Sequence, residues 1–418
     1  MPNSSLRTGH NDTGTRLRAA LAVPAFRVLW LAEIVNLAGD QLAKVALAVV
    51  VYQRTHSPLW SALAYATPLL ATLIGGVSLG WIADRLDRRA VMVTCATAQA
   101  ATLALLAALP TLPVAALLGL LTVTSLLQCP FAAAQNALVP TLLPGPAYHA
   151  GHTLRQLSMN AVTLVGLLGG GLAVAAIGPS WALAADAASF AATGLVLHRG
   201  LPRTPTPTTP STTGPARAHL RAGLAATFGH APARTLMLLM WLAGIPAAAG
   251  GLMAAFTAQA GHPEAVAWVL AADAAAYTAL TLALHRLALP RRQRLIGILA
   301  VASVLPLAAF ALTPDILGAA LLLAISGGAA VYQVTAGSTF MTLIPDTHRG
   351  SAYSVARTGL RAAQGLGAGL AGALAEGTGS IPATIASAGT VGVVAAVALT
   401  WSWHRCLRSP LPEGAVGT

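Results

Sequence analysis

Residues 80–89 read Gly80-Trp81-Ile82-Ala83-Asp84-Arg85-Leu86-Asp87-Arg88-Arg89. This charged stretch joins two apolar runs, near 58–82 and 89–109, each of about the 20 residues that cross a ~30 Å hydrocarbon core. The same alternation continues along the chain. Of 418 residues, 24 are Lys or Arg and 12 are Asp or Glu, so 9% are charged, against about 25% in a soluble domain. Hydrophobic residues make up 56% and the mean hydropathy is +0.70. That balance cannot coat a water-exposed globule of this size, so the excess apolar surface faces lipid. A large soluble enzyme and a disordered chain are both excluded.

Cutting the apolar runs at polar breaks predicts twelve transmembrane helices, an all-α polytopic membrane protein. The spans lie near 27–52, 58–82, 89–109, 113–138, 154–177, 180–198, 234–257, 264–285, 294–312, 315–341, 353–376 and 381–403. Residues 1–26 are polar, carry Arg7, Arg16 and Arg18, and lack the short apolar core of a signal peptide, so they read as a cytoplasmic tail. With that end inside, alternate connectors carry Arg85, Arg88 and Arg89; His149 and His152; Arg199, Arg203, Arg217 and Arg221; Arg286, Arg291 and Arg292; Arg349; and Arg405 and Arg408. The opposite connectors offer only Arg54. This positive-inside pattern predicts a multi-pass protein of the cell membrane with both termini cytoplasmic.

The net charge of +12 therefore marks topology, and no nucleic-acid partner is expected, because the basic residues cap apolar runs and do not share one domain face. The chain has one lysine, Lys44, preceded by Ala43, so the Gly-Lys-Ser/Thr ending of a phosphate-binding loop is absent. Three cysteines, Cys95, Cys129 and Cys406, imply no disulfide framework. No His-Glu-x-x-His or Cys-x-x-Cys spacing occurs, and neither a metal nor a cofactor is expected.

The longest connector, 199–233, opens with a proline-threonine run (Pro202, Thr204, Pro205, Thr206, Pro207) that cannot be helical. It divides the chain into six-helix halves at 27–198 and 234–403, followed by a cytoplasmic tail at 404–418. The halves echo one another: a shift of 205 places Gln128 on Gln333 and Leu138-Val139-Pro140 on Leu343-Ile344-Pro345. Arg155 with Gly166, Gly169, Gly170 and Gly171 is echoed by Arg357 or Arg361 with Gly365, Gly367, Gly369 and Gly372. A six-plus-six repeat in a membrane points to a transporter whose halves rock about a site between them.

The stretch at 80–89 resembles motif A of the major facilitator superfamily, and the resemblance covers nearly the whole chain. The segments Arg349-Gly350-Ser351-Ala352-Tyr353-Ser354 and Asp186-Ala187-Ala188-Ser189-Phe190 are similar to the branch containing siderophore and drug exporters. The resemblance implies two pseudo-symmetric six-helix halves and a conformational latch around Gly80. In that latch Asp84 bonds the cytoplasmic end of a second-half helix while Arg85, Arg88 and Arg89 hold the interface; the alternative is that these charges only anchor topology. Two departures stand out. The family's antiporter motif in span 5 has a Gly-Pro pair, whereas Gly166 here is followed by Leu167, and span 4 carries no arginine.

At about 100° per residue, Glu33, Leu37, Asp40 and Lys44 share one face of span 1, flanked by Asn36 and Gln41. Charges inside a bilayer must be paired or hydrated, so this face should point into a water-filled cavity. Asp40 and Lys44 either neutralise one another as an i,i+4 pair or serve proton coupling and substrate binding. Glu33 lacks a partner in its own helix and is either a proton carrier, a counter-ion for a cationic substrate, or an interfacial residue. Arg357 and Arg361 share a face of span 11 with Gln364; Arg357 is placed to snorkel, and Arg361, one turn deeper, needs a partner on a facing helix. Asp273 in span 8 is structural or functional in equal measure, and Asp186 in span 6 reads as structural. Gln128 and Gln333 orient a ligand or pack between helices. In span 7, Met237 and Trp241 belong to a soft, aromatic set suited to a permissive wall or to a core or lipid-facing stripe.

The sequence thus predicts a monomeric secondary transporter, not an enzyme, that exports a hydrophobic or amphiphilic small molecule in exchange for protons. An importer of the same fold is the nearest alternative, and a non-transporting membrane receptor or sensor is the alternative from another class.

Overall fold

A computed structural model describes residues 20–79, 82–109, 111–143, 146–202 and 216–408. Among these residues the chain is helical and contains no strand. Hydrocarbon offers backbone N–H and C=O groups no partner, and a helix satisfies them within one segment. The helices are α1 (Pro24–Thr55), α2 (Pro58–Ser78), a single turn α3 (Ile82–Arg85), α4 (Arg88–Ala108), α5 (Val114–Leu142), α6 (Pro146–Ile177), α7 (Pro179–Gly200), α8 (Ala216–Phe228), α9 (Ala231–Trp241), α10 (Gly244–Gln259), α11 (Ala265–Leu284), α12 (Leu289–Ala308), α13 (Ile316–Ala329), α14 (Tyr332–Leu343), α15 (Asp346–Thr378) and α16 (Ile381–Arg408). The proline-threonine run of the central connector, the tail at 1–19, Gly80, Trp81 and residues 409–418 lie outside the described residues.

Ten stretches among the described residues are long and apolar enough to cross a membrane. They match ten of the twelve expected spans. The other two, the fifth and eleventh, coincide with α6 and α15, which are 32 and 33 residues long but outside that set of ten. In α15, Arg349, Arg357, Arg361, Glu376 and many glycines dilute the apolar content.

Local signals set the helix starts. Pro24, Pro58 and Pro179 open α1, α2 and α7, where a missing N–H costs nothing. Asp87 caps α4 by accepting from the Arg89 amide at 3.1 Å, and Asp315 caps α13 from Gly318 at 2.8 Å. The expected continuous spans 234–257 and 315–341 are each two helices. In the first, Pro246 cannot donate to the Leu242 carbonyl, and the chain turns at Leu242 and Ala243. In the second, the pair Gly327-Gly328 precedes tight turns in which Ala330 bonds both Ser326 and Gly327 at 3.1 Å.

The helices form two compact units, one from the described residues of Met1–Leu47 and Ile74–Thr213, the other from those of Ala48–Leu73 and Gly214–Thr418. In the first unit α4 packs against α5 and α7 around Phe26, Leu29, Met92, Phe131 and Leu138. In the second, α12 packs on α16 and α10 on α15, around Leu236, Met237, Ile296, Tyr332 and Phe340. Most of α2 belongs to the second unit because the glycines of α15 let it come close. A Cβ at Gly372 would lie 2.5 Å from the Ala62 Cβ, and one at Gly365 would lie 2.7 Å from Leu70 Cδ2. Ser57 Oγ closes this contact by donating to Glu376 Oε2 at 2.7 Å. Gly372→Leu should therefore destabilise the protein by about 1–3 kcal/mol, the usual range for overpacking, in a thermal melt of the purified chain. Gly377→Ala, which meets nothing within 4 Å, should leave the melt unchanged.

Candidate functional site

In the first unit, Glu33 of α1 is held by Arg155 of α6 through two bonds of 2.7 Å, Nε to Oε2 and Nη2 to Oε1. The side chains are only 8% (Arg155) and 11% (Glu33) exposed, and Arg155 Nη1 also reaches Asn136 Oδ1 at 3.5 Å. Bidentate, charge-assisted geometry of this kind is strong and directional. One turn back on α1, Trp30 Nε1 donates to Ser158 Oγ at 3.0 Å, so α1 and α6 are tied twice. The carboxylate that lacks a partner within its own helix is thus paired across 122 residues. In the sequence, Arg155 stands out only as part of the repeat.

Farther along α1, Lys44 Nζ donates to Gln41 Oε1 at 2.9 Å. Asp40 belongs to neither the Arg155–Glu33 nor the His262–Glu264 ion pair, although the Lys44 charge acts on it. Asp40 is half-buried and Lys44 exposed, while Asn36 is buried with no partner for its Oδ1 among the described residues. Asp186 of α7, expected to be structural, lies beside this face. It is 1% exposed, accepts from Ser189 Oγ at 3.2 Å, and feels the charges of Asp40 and Lys44. A Cβ at Gly39 would overlap Asp186 Oδ1 and Ser189 Oγ, so only glycine lets α1 sit this close to α7.

In the second unit, Asp273 of α11 and Arg361 of α15 each act electrostatically on Tyr65 of α2. Sequence reasoning misses Tyr65, since a lone tyrosine in an apolar span carries no distinguishing pattern. Its ring lies over α10, where a Cβ at Gly250 would come within 3.1 Å of its hydroxyl. Asp273 lies against Gly327, whose Cβ its carboxylate would overlap, and Arg361 is exposed with Arg357 as a like-charged neighbour. Gln364 Oε1, one turn along α15, has no donor among the described residues.

The remaining expected positions divide between packing and lining. Gln128 Oε1 accepts from Gln99 Nε2 at 3.0 Å, and the same nitrogen reaches the Thr124 carbonyl at 3.1 Å, so this amide bridges α4 and α5. Gln333 is half-buried on α14. Met237 is fully buried in the second unit's core. Trp241 lies over Gly359 and donates from Nε1 to the Ala356 carbonyl at 2.9 Å. It lines an apolar groove of about 590 Å³ with Leu238, Ile245, Leu366, Leu370 and Leu399.

Of the charged connector, Gly80 and the Asp84 side chain lie outside the described residues. Arg85 is exposed at the end of α3, Arg88 Nη1 donates to the Ala137 carbonyl at 3.0 Å, and Arg89 donates to the His198 carbonyl. Arg88 and Arg89 therefore hold α4 to α5 and α7.

The sequence profile described as Major Facilitator Superfamily matches residues 29–314. No curated protein matches the chain by sequence. Among solved structures, the chain is similar to a point mutant of the nucleoside transporter NupG, with a TM-score of 0.73, 15% identity, and 91% of this chain and 99% of that one covered. It is also similar to a POT family transporter in complex with a thioalcohol-conjugated peptide, at TM-score 0.70 and 14% identity over 91% of this chain and 96% of that one. A bacterial homologue of the human lysosomal transporter Spinster aligns at TM-score 0.65 and 15% identity, covering 91% of this chain and 94% of that one.

Removing one member of a buried pair leaves the other charge uncompensated, so Glu33→Gln should cost about 3–5 kcal/mol of stability. The exchange Glu33→Arg with Arg155→Glu should recover part of it in the same unfolding assay.

Proposed function

The chain belongs to the Major Facilitator Superfamily, and from that premise we propose that it is a proton-coupled exporter of hydrophobic or amphiphilic small molecules. It is a multi-pass membrane transporter; export, the proton and the substrate class are the proposed part. A monomeric state and a cell-membrane location with both termini cytoplasmic are proposed with them.

The observation that carries the reading is Asp40, a half-buried carboxylate on a membrane-spanning helix outside every ion pair among the described residues. A charge in that position is costly and marks proton or ion pathways. Proton arrival from outside neutralises Asp40 and releases a cationic or neutral substrate; proton loss towards the cytoplasm restores affinity. Glu33, already committed to Arg155, is the scaffold of this step, and Lys44 sets the local charge balance. The groove beside Trp241 supports an apolar substrate, since its lining offers shape and no fixed hydrogen bonds. Within the second unit, Tyr65, Asp273, Arg361 and the spare acceptor of Gln364 supply the polar contacts, with Gln333 as further lining. The latch formed by Gly80, Asp84, Arg85, Arg88 and Arg89 governs alternation.

Accumulation of a panel of dyes and antibiotics in a susceptible host tests this. Cells expressing the chain should accumulate less of at least one compound, and a proton ionophore should abolish the difference. Higher accumulation would turn the reading to uptake, and no change for any compound would count against a broad exporter. Asp40→Asn should bring accumulation back to that of cells lacking the protein. Trp241→Ala should change which compounds are exported while leaving ionophore sensitivity in place.

A further inference from the structure

We propose that Asp40 and Asp186 hold a single proton between them, with Lys44 as their common counter-charge and Asn36 as the acceptor for the acid's O–H. At about 100° per residue, Asn36 falls between Asp40 and the line of Ala32 and Gly39 on α1. That line touches α7: Thr193 Oγ1 donates to the Ala32 carbonyl at 3.2 Å, and Gly39 lies under Asp186 and Ser189. Asn36 is 5% exposed at this junction, and its Oδ1 has no donor among the described residues. Buried acceptors are rarely left without a donor. Two carboxylates supply none while both are ionised, and a carboxylic acid supplies one.

Charge counting gives the same stoichiometry. Asp40, Asp186 and Lys44 sum to −1 when all are ionised, and one proton makes the group neutral, the state a low-dielectric interior favours. No other charge enters the count among the described residues. On α1, Glu33 is taken by Arg155 of α6. Otherwise α6 meets this part of α1 through Gly166 and Gly170, against Gln41 and Val45. On α7 the neighbour is Ser189, and α4 meets α7 at Gly194 with Ala96 and Thr97. The proton enters at Asp40, the more exposed acid, and Asp186, at 1% exposure, is its protected second seat.

This deepens the proton-coupled reading by adding Asp186 and Asn36, and it rests on that reading only for its part in transport. Dicyclohexylcarbodiimide, which adds to protonated carboxyls in apolar surroundings, is the probe. The purified full-length chain is treated at neutral pH and the adducts are mapped by mass spectrometry on the monodisperse fraction. Adducts should fall on Asp40 or Asp186, with no more than one of these two acids labelled in any molecule. In Asp186→Asn the remaining Asp40 carboxylate is balanced by Lys44, so its labelling should fall about tenfold, and Asp40→Asn should do the same to Asp186. Lys44→Gln, which removes the counter-charge and neither acid, should raise labelling. Adducts on both Asp40 and Asp186 of one molecule, or Asp40 labelling unchanged in Asp186→Asn, would overturn the shared proton whatever transport shows. A single shared adduct in a protein whose transport ignores the ionophore would keep the shared proton and remove the coupling reading.

Discussion

A guanidinium buried between two helices needs a compensating charge, and Arg155, between α6 and α1, holds a carboxylate. Glu33 provides it, and that bond fixes how α1 is rotated about its own axis. Seven residues are close to two full turns, so Asp40 lies within about 20° of Glu33 around the helix. Gly39, about 100° to one side, is then turned to α7, and Gln41, about 100° to the other, is turned to Gly166 of α6. One ion pair thus decides which residues of α1 meet each neighbour, with half-buried Asp40 and exposed Lys44 farther along the face that carries Glu33.

Ten of the twelve expected spans, and their order, were legible because hydropathy is a sum over about 20 residues and tolerates local noise. Their ends were less so. The helix α6 begins at Pro146 and α15 at Asp346, several residues before the expected 154 and 353, because their first turns are polar and add nothing to an apolar count. The polar face of α1 was readable from spacing alone. Its partners were not: period and composition say that a charge needs company without saying from which helix. Asp186 reads as structural for the same reason, since its proximity to Asp40 is created by a glycine on another helix.

Met237 and Trp241 show a second limit. They lie one turn apart in the same apolar run, yet Met237 is sealed in the core and Trp241 borders a groove. In a membrane protein, core-facing and lipid-facing surfaces are both apolar, so the pattern that separates inside from outside in a soluble helix is silent here. The two helix breaks differ in the same way. Pro246 announces its own, because a missing N–H is a chemical fact of the sequence, while Gly327 and Gly328 are two small residues among the chain's 40 glycines.

The charge economy of this chain has left it with a single ε-amine. Lys44 is exposed, and its three donors are engaged only by Gln41 among the described contacts. Amine-directed chemistry, which scatters over most proteins, would here address one side chain, on the polar face of α1 a single turn from Asp40. A fluorophore or isotopic label carried there would report on that face without any residue having been replaced.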